Sequence, residues 1–574
     1  KLADKGNVEI IEKEVYRNPL NIFEISEKEE FPLLNNEQNI AFEKINKAIE
    51  EKDSNPLLLY GITGSGKTEV YFNAIKTVLE KDKTVIFLAP EIPVATQMAQ
   101  RIAKRFGVDE VAVWHSSVSE GEKYDIRQKL LENKIKIITG ARSAIFAPIK
   151  NVGLIIIDEE HETAYKQASP APRYDARALA KERAKRENAV LVLGSATPDI
   201  NSYYEALNSN RVLLLQNRFG NGELAKVHVI DMKEEHKKGN RSVFSSILKS
   251  AVLKNIEDKK QTIILINRRG FSTSTLCQSC GYVVECKKCA IPLILHKTSG
   301  NLRCHYCGYE REMVSICPEC GSNAIRYSGI GTQKVEEYAK REFPKARIER
   351  IDSDILSKKN AHIHLLNDFS NGNIDILIGT QMIAKGLDNP NVTLVGVLMA
   401  DQSFSIPDFR ATERGFQLLT QVAGRAGRGD FEGRVYFQTY VPDFFALKDA
   451  QKQDYINFYK KEIKNRYELA YPPYSKMIRL ILSSKNKYRA EKIIQECAYR
   501  LKTFVDNQGI SEKLEILGPS ECVISKIKDE YRFQILIKNR LEQKGHFLVI
   551  STIKQLNIPE DTRLLVDVDP VDML

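Results

Sequence analysis

The segment PLLLYGITGSGKTEVYFNAIKTVLE, Pro56–Glu80, decides the fold. Its first five residues form a short apolar run of strand length. Its last twelve carry Val70, Ala74, Val78 and Tyr71, Ile75, Leu79 at helical spacing. Between them, Gly61–Thr68 fits G-x-x-x-x-G-K-[ST] in full. A strand that turns through a glycine-rich loop into a helix closes backbone N–H groups around an anion at the helix N-terminus. The expectation is a nucleotide phosphate cradled by Gly61, Thr63, Gly64, Ser65 and Gly66, with Lys67 reaching the β and γ phosphates and Thr68 holding Mg²⁺. Such a loop belongs to a parallel sheet wrapped by helices, so the fold class is α/β.

A nucleotide hydrolase also needs acids at a neighbouring strand end. VGLIIIDEEH (Val152–His161) supplies them after a run that reads as a strand buried on both faces. Asp158 is expected to hold Mg²⁺, and Glu159 to orient or deprotonate the attacking water. A third apolar run, AVLVLG, leads into GSATP (Gly194–Pro198). Downstream, QVAGRAGRG (Gln421–Gly429) carries Arg425 and Arg428 three residues apart, which share a face if they stand on a helix. Arginines so placed can meet a γ-phosphate, as arginine fingers do.

With 574 residues, 43% hydrophobic and 28% charged, the chain has the profile of several folded domains, about four at ~150 residues each. No apolar run approaches the ~20 residues that span a bilayer, and no signal peptide is visible. A cytoplasmic location and no membrane partner are the expectations. The net charge of +10 permits a polyanionic partner without demanding one.

Eight of the ten cysteines lie between Cys277 and Cys320 as four C-x-x-C pairs. In a reducing compartment such pairs favour metal over disulfides. Each pair gives two thiolates and two pairs complete a tetrahedral Zn²⁺ site, so two Zn²⁺ are predicted; an iron–sulfur cluster is the alternative use of the same ligands. The stretch AIPLILHKTSGNLR reads as strand, turn, strand. A hairpin there brings together Cys286, Cys289, Cys304 and Cys307, leaving Cys277, Cys280, Cys317 and Cys320 for the second metal. Consecutive pairing stays open, though the link between the first two pairs makes it cramped. A small insert of this kind draws its folding energy from metal, and is expected to be a rigid knob on its lobe or a purely structural staple. Cys497 and Cys522, outside this spacing, read as buried packing residues.

Taken in order, the phosphate loop, LAPEI (Leu88–Ile92), TGARSAIFAP (Thr139–Pro148), DEEH, GSATP, INRRGFS (Ile266–Ser272), GTQMIAKGLDNPNVTLVGVLMAD (Gly379–Asp401) and QVAGRAGR resemble the superfamily 2 helicases. Among these, the wording and the cysteine pairs resemble the family of bacterial replication restart helicases over nearly the whole chain. The resemblance implies two RecA-like lobes and nested pairing of the cysteines. It implies an ATP-driven 3′→5′ DNA helicase that remodels stalled or abandoned forks and promotes primosome assembly. The implied partners are forked and single-stranded DNA, single-stranded-DNA-binding protein and other primosome or helicase-loader proteins, met by a monomer. By the same resemblance, Gln38 reads adenine, and Gly386 and Asp388, with Gln421, Arg425 and Arg428, form the second lobe's side of the ATP cleft. Pro90, Glu91, Thr139, Gly140, Arg142, Arg268, Thr380 and Gln381 line the DNA channel. His161, Tyr165, Tyr174 and Gln421 couple nucleotide to DNA. Asp175 stands where the family carries a histidine. The rival reading is a fork-binding scaffold for which ATP turnover is dispensable.

The expected layout is a winged-helix remnant and linker over 1–30, a first lobe over 31–218, and a second lobe over 219–274 and 325–468. A zinc insert over 275–324 and a small C-terminal α/β domain over 469–574 complete it.

Overall fold

Apolar runs too short for helices become the strands of two parallel sheets. The computed structural model describes residues 29–218, 225–266, 275–296, 300–326, 331–351, 361–380, 389, 391–426 and 433–573. The chain divides into two units, Lys1–Gly220 and Asn221–Leu574.

The first unit holds β1 (Leu57–Gly61), β2 (Thr84–Leu88), β3 (Val111–Trp114), β4 (Ile137–Gly140), β5 (Val152–Ile157), β6 (Val190–Ser195) and β7 (Val212–Leu215). They lie in the order β3-β4-β2-β5-β6-β1-β7, parallel throughout. β2 and β5 are buried at every residue, as strands are when helices cover both faces of a parallel sheet. On one face Ile45 of α1 (Asn36–Glu51) and Val70, Ile75 and Val78 of α2 (Lys67–Glu80) pack on Phe87, Leu154 and Val192. α1 opens with a capping box: the Asn35 side chain accepts from the Gln38 N–H while the Gln38 side chain accepts from the Asn35 N–H.

The second unit begins with β8 (Lys226–Asp231) and β9 (Gln261–Ile266). A cysteine-rich insert follows, with β10 (Leu276–Cys277), β11 (Ile294–His296), β12 (Asn301–Arg303), β13 (Glu310–Glu312) and β14 (Ile325–Arg326). Then β15 (Ile348–Ile351), β16 (Ile376–Gly379), β17 (Val392–Leu398) and β18 (Arg434–Thr439) complete a parallel sheet ordered β15-β16-β9-β17-β18-β8. In the insert, β11-β12-β13 form an antiparallel sheet and β10 pairs with β14. β19 (Lys476–Ser484), β20 (Leu514–Ile527), β21 (Glu530–Asn539) and β22 (Thr562–Val568) make an antiparallel sheet ordered β20-β21-β19-β22, packed against helices Lys487–Asn507 and Glu542–Ile553. Cys497 and Cys522 are free and buried there, as their spacing predicted.

The insert departs from the expected knob. Its hairpin half shares one apolar core with the C-terminal sheet: Leu302, Cys304 and Tyr306 pack with Met477, Leu517 and Leu536, together with Phe409 and Tyr471. Polar contacts seal the seam. Ser520 Oγ and Gln534 Nε2 both donate to the His305 carbonyl at 2.6 Å, and Tyr471 Oη donates to the Cys289 carbonyl at 2.9 Å. His305 Nδ1 lies 2.7 Å from the Glu521 carbonyl, which can only accept. That bond places the ring proton on Nδ1, so His296 donates across the 3.1 Å between the two Nε2 atoms. These partners stand more than 180 residues apart in sequence, so no local pattern announces them. The buried residues of the outer half's apolar cluster are Cys277, Cys317 and Ile325, and the stretch that runs through β13 to the last cysteine pair exposes Tyr309, Met313 and Ile316.

Arg466 is the largest fully buried side chain among the described residues. Its side chain is 1% exposed; Nη2 meets Glu413 at 2.6 Å and Nε meets Glu462 at 3.2 Å, while Nη1 donates to the Pro472 carbonyl at 3.2 Å. Arg466→Ala leaves two buried carboxylates without their cation, a loss of about 3–5 kcal/mol. The expected outcome is a thermal transition lowered by roughly 10 °C, measured by scanning calorimetry; an unchanged transition would show that the triad contributes nothing.

Candidate functional site

Parallel strands all end at one edge of their sheet, and ligands gather outside their carboxyl ends. In the first unit the strand order divides this edge in two. β5, β6 and β1 end in the acidic motif, GSATP and the phosphate loop. β4 and β2 end in TGARSAIFAP and LAPEI.

In the phosphate loop, Gly64 and Gly66 have φ of 80° and 78°, values that glycine adopts without steric cost. Lys67 Nζ donates to the Gly61 carbonyl at 2.7 Å. Gln38 Nε2 donates to the Ser65 carbonyl at 2.9 Å and its Oε1 accepts the Asn35 N–H at 2.9 Å. The carboxamide expected to read adenine is therefore engaged by the protein at both ends, and Gln38 ties α1 to the loop. Thr68 lies in the first turn of α2.

Asp158 follows β5 and is half-buried. Tyr71 Oη, from α2, donates to its Oδ1 at 3.1 Å. Gly194 makes this approach possible, because a Cβ there would collide with the Tyr71 hydroxyl. Burial first, and then the charge of Glu159, push the Asp158 carboxyl up to about 6, against the pull of Lys67. A cation beside it would relieve both causes, so the donor set suits a divalent ion carried in with a nucleotide. Glu159 adopts φ 47°, an uncommon value for a non-glycine residue, of the sort that clusters at functional sites. Its Oε2 is buried without a hydrogen-bond partner among the described residues and lies 3.6 Å from His161 Nδ1. An oxygen so placed can orient a water or take its proton.

Tyr165 connects the halves of the edge, and His161 ties the acidic motif to GSATP within one of them. His161 is buried, with Nδ1 2.7 Å from Ser195 Oγ, which also accepts the Thr197 N–H at 2.9 Å. Tyr165 is fully buried; its Oη lies 2.5 Å from the Asp158 carbonyl after β5 and 3.1 Å from the Leu88 carbonyl at the end of β2. It is out of reach for stacking on a base, and instead clamps the acidic motif to the strand before LAPEI. The neighbouring Glu160 accepts the Asp199 N–H at 2.8 Å and the Ser202 hydroxyl at 2.9 Å; burial, with Asp199 second, pushes its carboxyl up to about 8. Asp175 caps helix Ala176–Glu187 and accepts from Arg177 Nε and Nη2 at 3.0 and 2.7 Å.

Among the residues expected to line DNA, Pro90 and Glu91 are half-buried, between β2 and helix Ile92–Phe106. Arg142 is half-buried too, with Nη1 donating to the Ala164 and Lys166 carbonyls at 3.2 and 3.4 Å. Thr139 and Gly140 lie inside β4, where the Thr139 side chain is fully buried and a Cβ on Gly140 would collide with the Trp114 carbonyl, so the backbone is what these two residues offer a ligand. Tyr174 meets Phe146 edge to face at 4.9 Å, and Phe146 is 57% exposed. Phe146 is a residue that motif reading passed over, although its place inside TGARSAIFAP was the available signal. Tyr71 offered no signal at all, since its partner lies 87 residues away.

In the second unit Thr380 follows β16 and is half-buried. Gln421 lies in helix Ala411–Ala423, but Arg425 lies beyond that helix, which ends at Gly424. The shared helical face expected for Arg425 and Arg428 is not formed at Arg425; the glycine-rich GRAGRG stretch disfavours helix. Arg428, Arg268, Gln381, Gly386 and Asp388 lie outside the described residues, as does the expected winged-helix remnant up to residue 28.

The eight cysteines form two groups, Cys277, Cys280, Cys317, Cys320 and Cys286, Cys289, Cys304, Cys307, with the ligand atoms of each within 4.8 Å of one another. The nested pairing is the one formed. The Sγ atoms of Cys277 and Cys320 are 3.7 Å apart, and those of Cys280–Cys317 and Cys286–Cys307 are 3.6 Å apart. A tetrahedral Zn²⁺ with Zn–S near 2.3 Å needs edges of about 3.8 Å, so the residues fit two four-cysteine zinc sites. Among the described residues no helix is long and apolar enough to cross a membrane.

Four family descriptions match the chain: DEAD/DEAH box helicase over residues 36–206, PriA DNA helicase Cys-rich region over 286–311, helicase conserved C-terminal domain over 321–430, and primosomal protein N C-terminal domain over 467–571. The chain is 43% identical to the replication restart protein PriA of Bacillus subtilis, covering 100% of this chain and 71% of that protein. It is 43% identical to the PriA of Synechocystis, over 90% of this chain and 62% of the other, and 40% identical to that of Chlamydia trachomatis, over 94% and 71%.

The two zinc sites differ in what rests on them. Cys286→Ser should release one Zn²⁺ per chain and expose the seam with the C-terminal sheet to protease. Cys317→Ser should release the other Zn²⁺ and leave that seam protected. Metal analysis with limited proteolysis checks both; equal protection in the two variants would mean that the hairpin site does not hold the seam.

Proposed function

The chain belongs to the PriA family of replication restart helicases, and on that premise we propose that it is an ATP-driven 3′→5′ DNA helicase that recognises stalled or abandoned forks and promotes primosome assembly there. ATP-dependent helicase chemistry comes with the family and its helicase domains. Polarity, fork recognition and the primosomal partners, single-stranded-DNA-binding protein among them, are carried by kinship alone.

The observation that supports a motor most directly is the Tyr165 clamp. One hydroxyl holds the carbonyl of Asp158, on the nucleotide half of the edge, and that of Leu88, whose strand leads into LAPEI on the other half. A change in the acidic motif is thereby felt where DNA phosphates would be gripped, without any base being read.

In this reading Lys67 leaves the Gly61 carbonyl for the nucleotide phosphates. Asp158 and Thr68 hold Mg²⁺, which when bound neutralises phosphate charge. Glu159 positions the attacking water, with Oε2 as the accepting oxygen. His161 passes the state of that glutamate to Ser195. Arg142, Pro90 and Glu91 meet the DNA backbone, and Phe146 with Tyr174 offers an aromatic face to an unstacked base. Arg425 and Arg428 supply the arginines that act on transition-state charge. Domain limits follow the layout given above.

Lys67→Ala is expected to lower ATP hydrolysis by a factor on the order of 10² to 10³ while forked-DNA affinity stays within about twofold. Phosphate release and fluorescence anisotropy check the two; unchanged hydrolysis would remove the phosphate loop from the chemistry. Tyr165→Phe removes the one hydroxyl proton that the two carbonyls share and keeps the ring. Stimulation of hydrolysis by single-stranded DNA should fall several-fold, with the DNA-free rate nearly constant, whereas full stimulation would show that the clamp transmits nothing.

A further inference from the structure

The last described residues of the first unit, Gln216–Arg218, are fastened to the nucleotide machinery. Glu37, beside Gln38 in α1, accepts the N–H groups of Gln216 and Asn217 at 2.9 and 3.0 Å and the Asn217 side-chain amide at 2.7 Å. Arg218 Nε donates to the Thr63 carbonyl of the phosphate loop at 3.1 Å. The Arg218 side chain runs along Gly64, its Nε 3.4 Å from where a Cβ of that glycine would stand. The unit ends two residues later, at Gly220.

A peptide unit is planar and trans, so its C=O and N–H point in opposite directions. By holding the Thr63 carbonyl, Arg218 turns the Gly64 N–H the other way. Among the described residues no backbone carbonyl accepts that N–H. Gln38 acts alike two residues on, where its bond to the Ser65 carbonyl turns the Gly66 N–H. Two side chains from separate elements thus hold alternate carbonyls of the loop and leave alternate N–H groups for an anion, as in other backbone nests.

We propose that Arg218 is a positioning residue for ATP: it aims the Gly64 N–H at the nucleotide phosphates and, with Glu37, fastens the chain leaving the unit to the loop that binds them. The inference rests on the ATP reading given above. Arg218 acts through the loop and is not required to touch the nucleotide. Occupancy of the loop therefore bears on the segment that leads to the second unit.

The test is steady-state ATP hydrolysis by the full chain with saturating single-stranded DNA, comparing the parent with Arg218→Ala, Arg218→Gln and Arg218→Lys. Loss of a charge-assisted hydrogen bond in Arg218→Ala should raise KM for ATP about tenfold. Saturating turnover should stay within about twofold, because the binding lost is common to ground state and transition state. Arg218→Lys keeps a cationic donor and should restore KM to within about threefold of the parent, with Arg218→Gln between the two. A parent-like KM in Arg218→Ala overturns the inference, and so does a raised KM that lysine fails to lower. Should the alanine variant not fold, a parent-like KM in Arg218→Gln overturns it equally. A parent chain that hydrolyses no ATP would defeat the ATP reading itself, an outcome distinct from a parent that turns over normally beside an unaffected Arg218→Ala.

Discussion

The first unit depends on the parallel register of β1, β6 and β5. Tyr60 stands opposite Ser195 and Ile157 opposite Leu193, so the phosphate loop, GSATP and the acidic motif leave the sheet at the same edge, with β5 ending two residues short of β6. Strands buried on both faces cannot slip without repacking the core, and that cost fixes the stagger. Everything the site does follows from it. Tyr71 reaches Asp158 over Gly194, His161 reaches Ser195, and Tyr165 spans from Asp158 to Leu88.

Buried hydroxyls and amides carry the functional connections in this unit. Gln38 and Tyr165 hold backbone carbonyls at motif ends. Each is almost wholly desolvated, where a polar group left unpaired is costly. Such contacts are all-or-none, which suits an element that must pass one state on to its neighbour. In the second unit the hairpin half of the zinc module works as masonry. It shares an apolar core with one face of the C-terminal sheet, whose other face packs on its own helices, while the stretch between the two halves exposes Tyr309, Met313 and Ile316.

Much of this was legible in the sequence, and the limit is physical. The phosphate loop, the acids and each C-x-x-C pair are written at short spacing, and a hairpin then nests the pairs into two tetrads. The α/β class and the small C-terminal α/β domain follow from the same periodicities, whereas the antiparallel pairing of that domain's strands came from the structure. Contacts set by tertiary packing left no mark. Thr139 sits in a motif yet is buried by its own strand, and Gln38 is caught between Asn35 and Ser65. His305 meets partners 215 and 229 residues away. The spacing of Arg425 and Arg428 gives a shared face only on a helix, and at Arg425 the helix has already ended at Gly424.

The central claim is that chemistry on one half of the sheet edge is linked to DNA on the other. The most direct test is ATP hydrolysis by the unaltered chain, followed in one reaction with separation of a labelled fork, without DNA and with single-stranded, forked and duplex DNA. The account predicts that hydrolysis accelerates with single-stranded and forked DNA and that the fork's strands separate only while ATP is consumed. Tight fork binding, with a hydrolysis rate indifferent to DNA and no strand separation, would contradict it.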